Sequence, residues 1–544
     1  MKAVKGMTLN AMSTLLSTKC RDGEKRTRNL LPIRSRNESA RREALLLQHL
    51  VILLIVLDRF RWVSCQLDTL RRCFPSSVRK TLNELPATLD ETYARALEGI
   101  PKEKLQHAQR LFQCLVAALR PLRVEELTEI FAIEFDLGAA PNLVKDLRPE
   151  DPEEAILSAC STLIDIIDDN EGSRIVQLSH LSVREFLTSD RLRTSRVGNI
   201  RHYYVPLDAA HTTLTQACVT VLLQLGENAC KEHLATLPLA FYAAQYWFQH
   251  VNYEKVASRF QHATKQIFDL CQPYLAAWLW MYDVDQDRVR GSIDTLADHP
   301  SPPEATTLYY AVSCGLTEPA KDLISTHGED VNAKCGVRGS PLHVASHNGH
   351  PDAVSLLLGH GADVNMANES DRTPLCEAYD GGHLKAMRLL LERGASPDTQ
   401  YDMFGLLAHQ ASIRGQAEVI GLLMRHRAHV NPTAYFNFTP LHYASSAGHV
   451  DAVKALLENG ADVNALSSFG TPLYRASHKG RLEVARLLLE HRADVDIRLP
   501  SGLTPCQVAT LEGHTQVAQL LLDHGVKKDG AKNEGGSRGP SGEH

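Results

Sequence analysis

The sequence predicts a mainly α chain: a helical region carrying one β-hairpin, then a helical connector, then an α-solenoid of short helix pairs. Three observations predict it. One short phrase returns about every 33 residues through the C-terminal half, apolar residues recur at helical spacing before it, and a single pair of alternating β-branched runs interrupts those helices. With 544 residues, 44% of them hydrophobic and 22% charged, the chain has apolar material for three or four packed units. A mostly disordered, collagen-like or disulfide-stapled chain is excluded. The 12 Cys run from Cys20 to Cys506 with no C-x-x-C, and even Cys65 and Cys73 lack zinc or disulfide spacing. They read as reduced thiols of an intracellular protein, expected in the cytoplasm or the nucleus.

Residues 1–59 form a basic leader and an apolar segment. Residues 1–44 hold eleven Lys or Arg against four acids with no sustained apolar period, the pattern of a partly disordered stretch. Leu45–Leu57 (LLLQHLVILLIVL) is the most apolar run, yet its 13 residues fall about two turns short of the ~20 that a spanning helix needs. A buried helix or strand is expected there, and a membrane partner is not. A targeting or membrane-associated segment is the alternative, and the acid-poor leader leaves a mitochondrial presequence open.

Phe60–Ile100 reads as helices. Leu105–Leu119 keeps helical spacing, Arg120-Pro121-Leu122 breaks it, and Val124–Ile130 starts another helix. A helix around Ala155–Thr162 precedes the runs Leu163–Ile167 and Arg174–Leu178, which Asp168-Asp169-Asn170-Glu171-Gly172 joins as a hairpin turn, and a short helix His180–Leu187 follows. Helices followed by such a hairpin describe a winged-helix domain, expected over 101–205, with the helical connector over 206–302. Residues 101–196 carry 12 Lys or Arg against 17 acids, and the turn itself is acidic. A wing that faces phosphate needs the opposite sign, so nucleic acid is not expected as a partner and a DNA-binding regulator is the weaker reading. Ser179-His180 beside Asp168 or Asp190 has no oxyanion-hole motif with it, and a structural role is expected.

The repeat occupies 303–530. Ser340-Pro341-Leu342-His343, Thr373-Pro374-Leu375, Thr439-Pro440-Leu441-His442, Thr471-Pro472-Leu473 and Thr504-Pro505-Cys506 share one phrase, with a weaker copy at Thr306 and a degraded one at Leu406. Successive copies lie 34, 33, 33, 33, 32 and 33 residues apart. A second marker keeps the same beat: Gly361-Ala362-Asp363-Val364-Asn365, Gly394-Ala395-Ser396, Arg427-Ala428-His429, Gly460-Ala461-Asp462 and Arg492-Ala493-Asp494. Two markers in phase at this period read as seven ankyrin repeats. Thr or Ser caps each first helix, Pro takes its first position, and Gly349, Gly382, Gly448 and Gly513 supply turns with positive φ. Leucine triplets such as Leu356–Leu358 and Leu389–Leu391 mark the second helices. Of 25 His, 15 fall in the repeats at recurring positions, which favours a structural role over metal or acid–base chemistry.

Over roughly 60–530 the wording carries a resemblance. "LPATLDETYARAL", "RPLRVEELTEIFAIEFD", "SACSTLIDIIDD", "VQLSHLSVREFLTS", "LPLAFYAAQYWFQHV" and "YLAAWLWMYDVD" resemble the segment that joins the NACHT domain to ankyrin repeats in fungal NLR-like (NACHT–ankyrin) proteins. The resemblance implies that 60–100 is a remnant of the NACHT C-terminal region and that the winged helix packs on a NACHT domain. The chain holds no Gly-Lys dipeptide, hence no G-x-x-x-x-G-K-[ST] phosphate loop, and no cofactor is expected. Gly535-Gly536-Ser537-Arg538-Gly539 matches a nucleophile elbow in letters only, inside a Gly-rich tail (531–544) expected to be disordered. The expectation is therefore a non-catalytic scaffold or adaptor that binds other proteins through the concave face of its repeats, with no metal and no small-molecule substrate. A truncated or split part of a nucleotide-switching NACHT receptor is the alternative. The residues proposed to bind are the aromatic finger tips: Tyr401, Met403, Phe404, Tyr435, Phe436, Phe438 and Phe469.

Overall fold

A computed structural model describes residues 88–533, apart from 135–141, 161, 170–171, 196–198, 227–228, 291, 403–404 and 499–501. The leader, the apolar run Leu45–Leu57, the helices expected over 60–87 and the tail with its Gly535–Gly539 letters lie outside the described residues. The chain gathers into two compact units. Among the described residues, one holds 88–109 with Ile156–Ile167 and Val176–Tyr204, and the other holds Arg110–Ala155, Asp168–Ile175 and 205–533.

In the first unit the helix Leu89–Glu98 is capped by Thr88, whose side chain accepts from Glu91 N, and Asp90 and Glu91 suit the positive end of its dipole. Tyr93 and Leu97, one turn apart, are buried. The Tyr93 ring lies 5.5 Å from that of Phe186 on the helix Leu181–Leu187, and its hydroxyl sits 2.8 Å from Ser182 Oγ. His180 caps that second helix, its Nδ1 accepting from Ser182 N. The alternating runs are strands, Ile164–Asp168 and Arg174–Leu178. Ser179 N donates to Leu163 O where they begin and end.

In the second unit the hairpin turn closes through Asp169 N to Ser173 O and Ser173 N to Asp169 Oδ1. Arg174, the cation of this turn, is held by Glu153 at 2.6 Å and Asp168 at 3.3 Å. The helix Val124–Phe131 buries two carboxylates, which is tolerated because both are paired. Arg120 grips Glu126 with both terminal nitrogens, while Glu129 takes Arg148 and the backbone N–H of Leu239.

The connector is helical: Leu207–Leu225, Lys231–Ala235, Ala240–Val251, Gln261–Ile267 and Tyr274–Met281. Its core is aromatic. Trp247 and Trp278 meet edge to face at 5.6 Å, Phe268 lies against both, and Trp278 Nε1 donates to Ala244 O, so the indole is buried without losing its hydrogen bond. The connector then covers the start of the repeats. Asn252 Nδ2 donates to Cys314 O at 2.5 Å, Lys265 pairs with Asp322 at 3.1 Å, and the Tyr309 hydroxyl donates to Asp285.

Seven helix pairs follow among the described residues. They begin with Thr307–Ser313 and Thr317–Ser325 and end with Pro505–Leu511 and Thr515–Asn533. Each second helix buries its central leucine against its neighbours: Leu323, Leu357, Leu390, Leu423, Leu456, Leu488 and Leu521 are all at most 3% exposed. At roughly 25 cal/mol per Å2 of apolar surface, this contact is the main favourable term, and no single pair can supply it alone. The Asp-Val-Asn marker has its own physical cause. Asn332, Asn365, Asp398, Asn431 and Asn464, spaced by 33 residues, each accept from a backbone N–H of the following repeat, at Asp363, Ser396, His429, Asp462 and Asp494, within 2.8–2.9 Å.

The glycine turns behave as the spacing requires, with φ of 70° at Gly349 and 92° at Gly448. At Gly349 an added Cβ would lie 2.2 Å from His383 Nδ1, so the site excludes a side chain on two grounds. Where the second marker has Arg in place of Gly, Arg427 and Arg492 adopt φ of 66° and 65° all the same. A left-handed non-glycine residue costs about 1–2 kcal/mol, and both arginines are exposed. Arg427→Gly and Arg492→Gly are each expected to raise the stability of the array by about 0.5–1 kcal/mol in urea titrations, after the entropy of glycine is set against the relieved strain.

Candidate protein-binding surface

The fingers that join successive repeats differ in what they do with their aromatic residues. Tyr435–Phe438 is a tight turn: Phe438 N donates to Tyr435 O, and the two central residues, Phe436 and Asn437, have φ of 59° and 60°. Such a turn favours Asn and Gly at both centres, so a phenylalanine there is strained. Phe436 is 56% exposed and Tyr435 64%. The next finger joins them. Ser468 N donates to Phe436 O, the Phe469 ring meets that of Phe436 edge-on at 5.3 Å, and Phe469 remains 45% exposed. Leu466, three residues before Phe469, is exposed as well.

Phe438 corrects the expectation that it lies at a finger tip. It is only 8% exposed, because the turn sends it inward onto Tyr443 and His442 and beneath the guanidinium of Arg475. Tyr401 is half-buried and bound to its own chain. Its hydroxyl donates to Asp380, Arg414 Nη2 donates to that hydroxyl, and Arg372 stacks on its ring at 4.9 Å. Met403 and Phe404 lie outside the described residues. Tyr435, Phe436 and Phe469 are thus the expected site residues that come together as an exposed cluster.

Sequence reasoning missed two charged sites on the first helices. Buried Glu377 receives Arg372 Nε at 2.9 Å and approaches His347 at 3.2 Å and Arg338 at 3.4 Å. Burial alone would raise its pKa, yet hydrogen bonds from His347 and Arg372 overcome it and push the carboxyl down to about 2. Three residues beyond it, Asp380 pairs with Arg372. The other site is Arg475, on the helix Pro472–His478, whose Nη2 donates to Ser446 Oγ at 3.2 Å.

The recurrent histidines form ladders. Each of His343, His409 and His442 accepts at Nδ1 from the N–H at the start of its own helix, and directs Nε2 to a carbonyl at the next finger: Arg372, Pro432 and Gly470. Facing a carbonyl, Nε2 carries the proton. His350, His449 and His514 bond backward instead, to the carbonyls of Ser313, Ile413 and His478. Burial lowers the pKa of His343, His409 and His442, for the last to about 4. These rings serve repeat packing.

The sequence matches ankyrin repeats over residues 306–401 and again over 408–457, 441–489 and 473–522. The repeat array is an ankyrin array. Residues 95–196 match the family described as GPI inositol-deacylase, winged helix domain. A curated relative, the azaphilone pigments biosynthesis cluster protein L of Monascus ruber, is 30% identical over 292 residues, which cover 51% of this chain and 60% of that protein. The chain thus spans less than two thirds of that relative's length. Human ankyrin repeat and KH domain-containing protein 1 is 44% identical over 55 residues, 10% of this chain and 2% of its own. Among solved structures, the ankyrin repeat domain of human ASB11 is 30% identical, with 43% of this chain and 99% of that chain covered and a TM-score of 0.35. For the ankyrin repeat domain of Bcl-3 the values are 26%, 39%, 96% and 0.37. Protein binding follows from ankyrin repeats.

The ladders of the ankyrin array set its pH response. A histidine whose folded pKa lies below its ordinary value near 6.5 binds fewer protons when folded, so its stabilisation is complete above that value and is lost as pH falls toward the folded one. For His442 the window is pH 6.5 down to about 4, worth on the order of 3 kcal/mol. The urea midpoint is expected to drop across this window, and His442→Ala to be less stable at pH 7 but flatter in its pH dependence. Glu377 acts separately, its contribution disappearing only as pH falls from about 4.5 toward 2.

Proposed function

We propose that the chain is a non-catalytic scaffold or adaptor that holds a partner protein on the fingers of repeats four to six, with Tyr435, Phe436 and Phe469 as the contact. The observation that carries this reading is Phe436: a large apolar ring, half in water, in a backbone conformation that costs the fold about 1 kcal/mol or more. Folding gains little from such a residue, and clustered exposed aromatics are characteristic of interfaces. Paired Arg174 on the acidic hairpin turn supports a protein partner over nucleic acid.

The wider reading relates the chain to fungal NLR-like receptors. The resemblance of the connector phrases and the match to a winged helix of a NACHT-associated kind support it. A regulatory part of a nucleotide-switching receptor, with its NACHT domain on the same or another chain, is the second form of this reading. In either form the domain order is a winged-helix domain over 101–205, the connector over 206–302 and the ankyrin array over 303–530.

Pull-down with Tyr435→Ala plus Phe436→Ala is the direct test. The double variant is expected to fold and to lose most partner recovery relative to the native chain. Undiminished recovery from the folded variant contradicts the assignment.

A further inference from the structure

Several half-buried guanidinium groups in the second unit meet carboxylates. Arg120 has Glu126, Arg148 has Glu129, and Arg372 has Glu377 and Asp380. Arg475 differs. Half-buried on the first helix of repeat six, it has Ser446 Oγ and the face of Phe438, at 5.3 Å, as its neighbours, and its buried Nε meets no hydrogen-bond acceptor among the described residues. Burial lowers its pKa, and Tyr474 is the group that acts against this. A guanidinium drawn partly out of water with no anion beside it is an unbalanced charge. Its surroundings deepen the imbalance. Lys479 and Arg481 follow on the same turn, Arg481 Nε donating to Ser446 O at 3.2 Å, and His478 faces Glu512 only at 3.7 Å.

This cation and the aromatic patch share one ring. Phe438 lies under Arg475 and 6.0 Å from Phe469, which meets Phe436 at 5.3 Å, which meets Tyr435 at 5.3 Å. The buried Phe438 ring therefore bridges the charge and the exposed rings into one strip across two consecutive fingers and the helix behind them.

We propose that this strip takes an extended segment of a partner protein in which an Asp or Glu carboxylate pairs with Arg475 and an apolar side chain, within about five residues at ~3.3 Å each, lies on Tyr435, Phe436 and Phe469. The proposal rests on the reading of the fingers as a protein-binding surface and names the chemistry of the partner. A carboxylate supplies the planar two-point acceptor that the guanidinium lacks, and partial burial makes such a pair stronger than one in open water. Lys479 and Arg481 work against a basic segment by simple repulsion.

Random 12-residue peptides displayed on phage, selected on the immobilised full chain, test it. Selected peptides are then synthesised, and their affinities measured by fluorescence polarisation for the native chain, Arg475→Gln, Arg475→Lys, Arg475→Glu and Tyr435→Ala plus Phe436→Ala. Enrichment of Asp or Glu near an aromatic or aliphatic residue is expected, with affinity falling about tenfold or more in Arg475→Gln. Arg475→Lys, which keeps the charge but not the two-point geometry, should fall less. Selection on Arg475→Glu should enrich Lys and Arg instead. Peptides that need the finger aromatics yet bind Arg475→Gln undiminished overturn the inference and leave the protein-binding reading standing. Peptides indifferent to both sites, or no enriched pattern at all, overturn both.

Discussion

Everything in the C-terminal half depends on one constraint: a helix pair of 33 residues cannot bury its own leucine face. Each central leucine is covered only because a neighbour lies against it, so the array is stable as a sum over interfaces. The polar ladders follow from the same constraint. Asn365 reaches Ser396 and His442 reaches Gly470 because stacking brings each repeat within hydrogen-bond distance of the next at a fixed phase. The connector obeys the rule at the start of the array, where it serves as the missing neighbour of the first repeat through Asn252, Lys265 and Asp285.

Because stacking supplies the folding energy, the fingers are released from it, and residues of one type divide by position. Phe438 and Phe436 sit two residues apart in one turn, yet one belongs to the core and the other to solvent. Arg372 and Arg475 divide in the same way. The first is saturated by Glu377 and Asp380 and braces Tyr401, so repeats three and four spend their charge on themselves. The second is left with a hydroxyl and a ring, which places the unspent charge beside the unspent aromatic surface. The proposed contact accordingly falls on the fingers of repeats four to six.

The periodic features were legible in the sequence because each is repeated by the same geometry. The capping Thr and Ser, the proline at the first helical position, the positive-φ glycines and the phase of the histidines all follow from one unit copied along the axis. The hairpin and its acidic turn were legible too, as strands of alternating pattern around Asp169. What could not be read was decided by one unusual turn and by contacts across repeats. That Phe438 turns inward depends on left-handed backbone at Phe436 and Asn437, two residues whose composition does not announce it. That Tyr401 is claimed by Arg372 and Asp380, and that Arg475 is claimed by no acid among the described residues, depends on which side chain the neighbouring repeat presents about 30 residues away.

The central claim is that the rings of one finger separate into a ring that folds the protein and a ring left for recognition. Equilibrium unfolding of Phe436→Ala beside Phe438→Ala measures that separation without reference to any partner. The account requires Phe438→Ala to lose about 3 kcal/mol or more, as for a buried aromatic, and Phe436→Ala to lose less than about 1 kcal/mol. Equal losses at the two positions would mean that Phe436 is a packing residue, and the claim would fail.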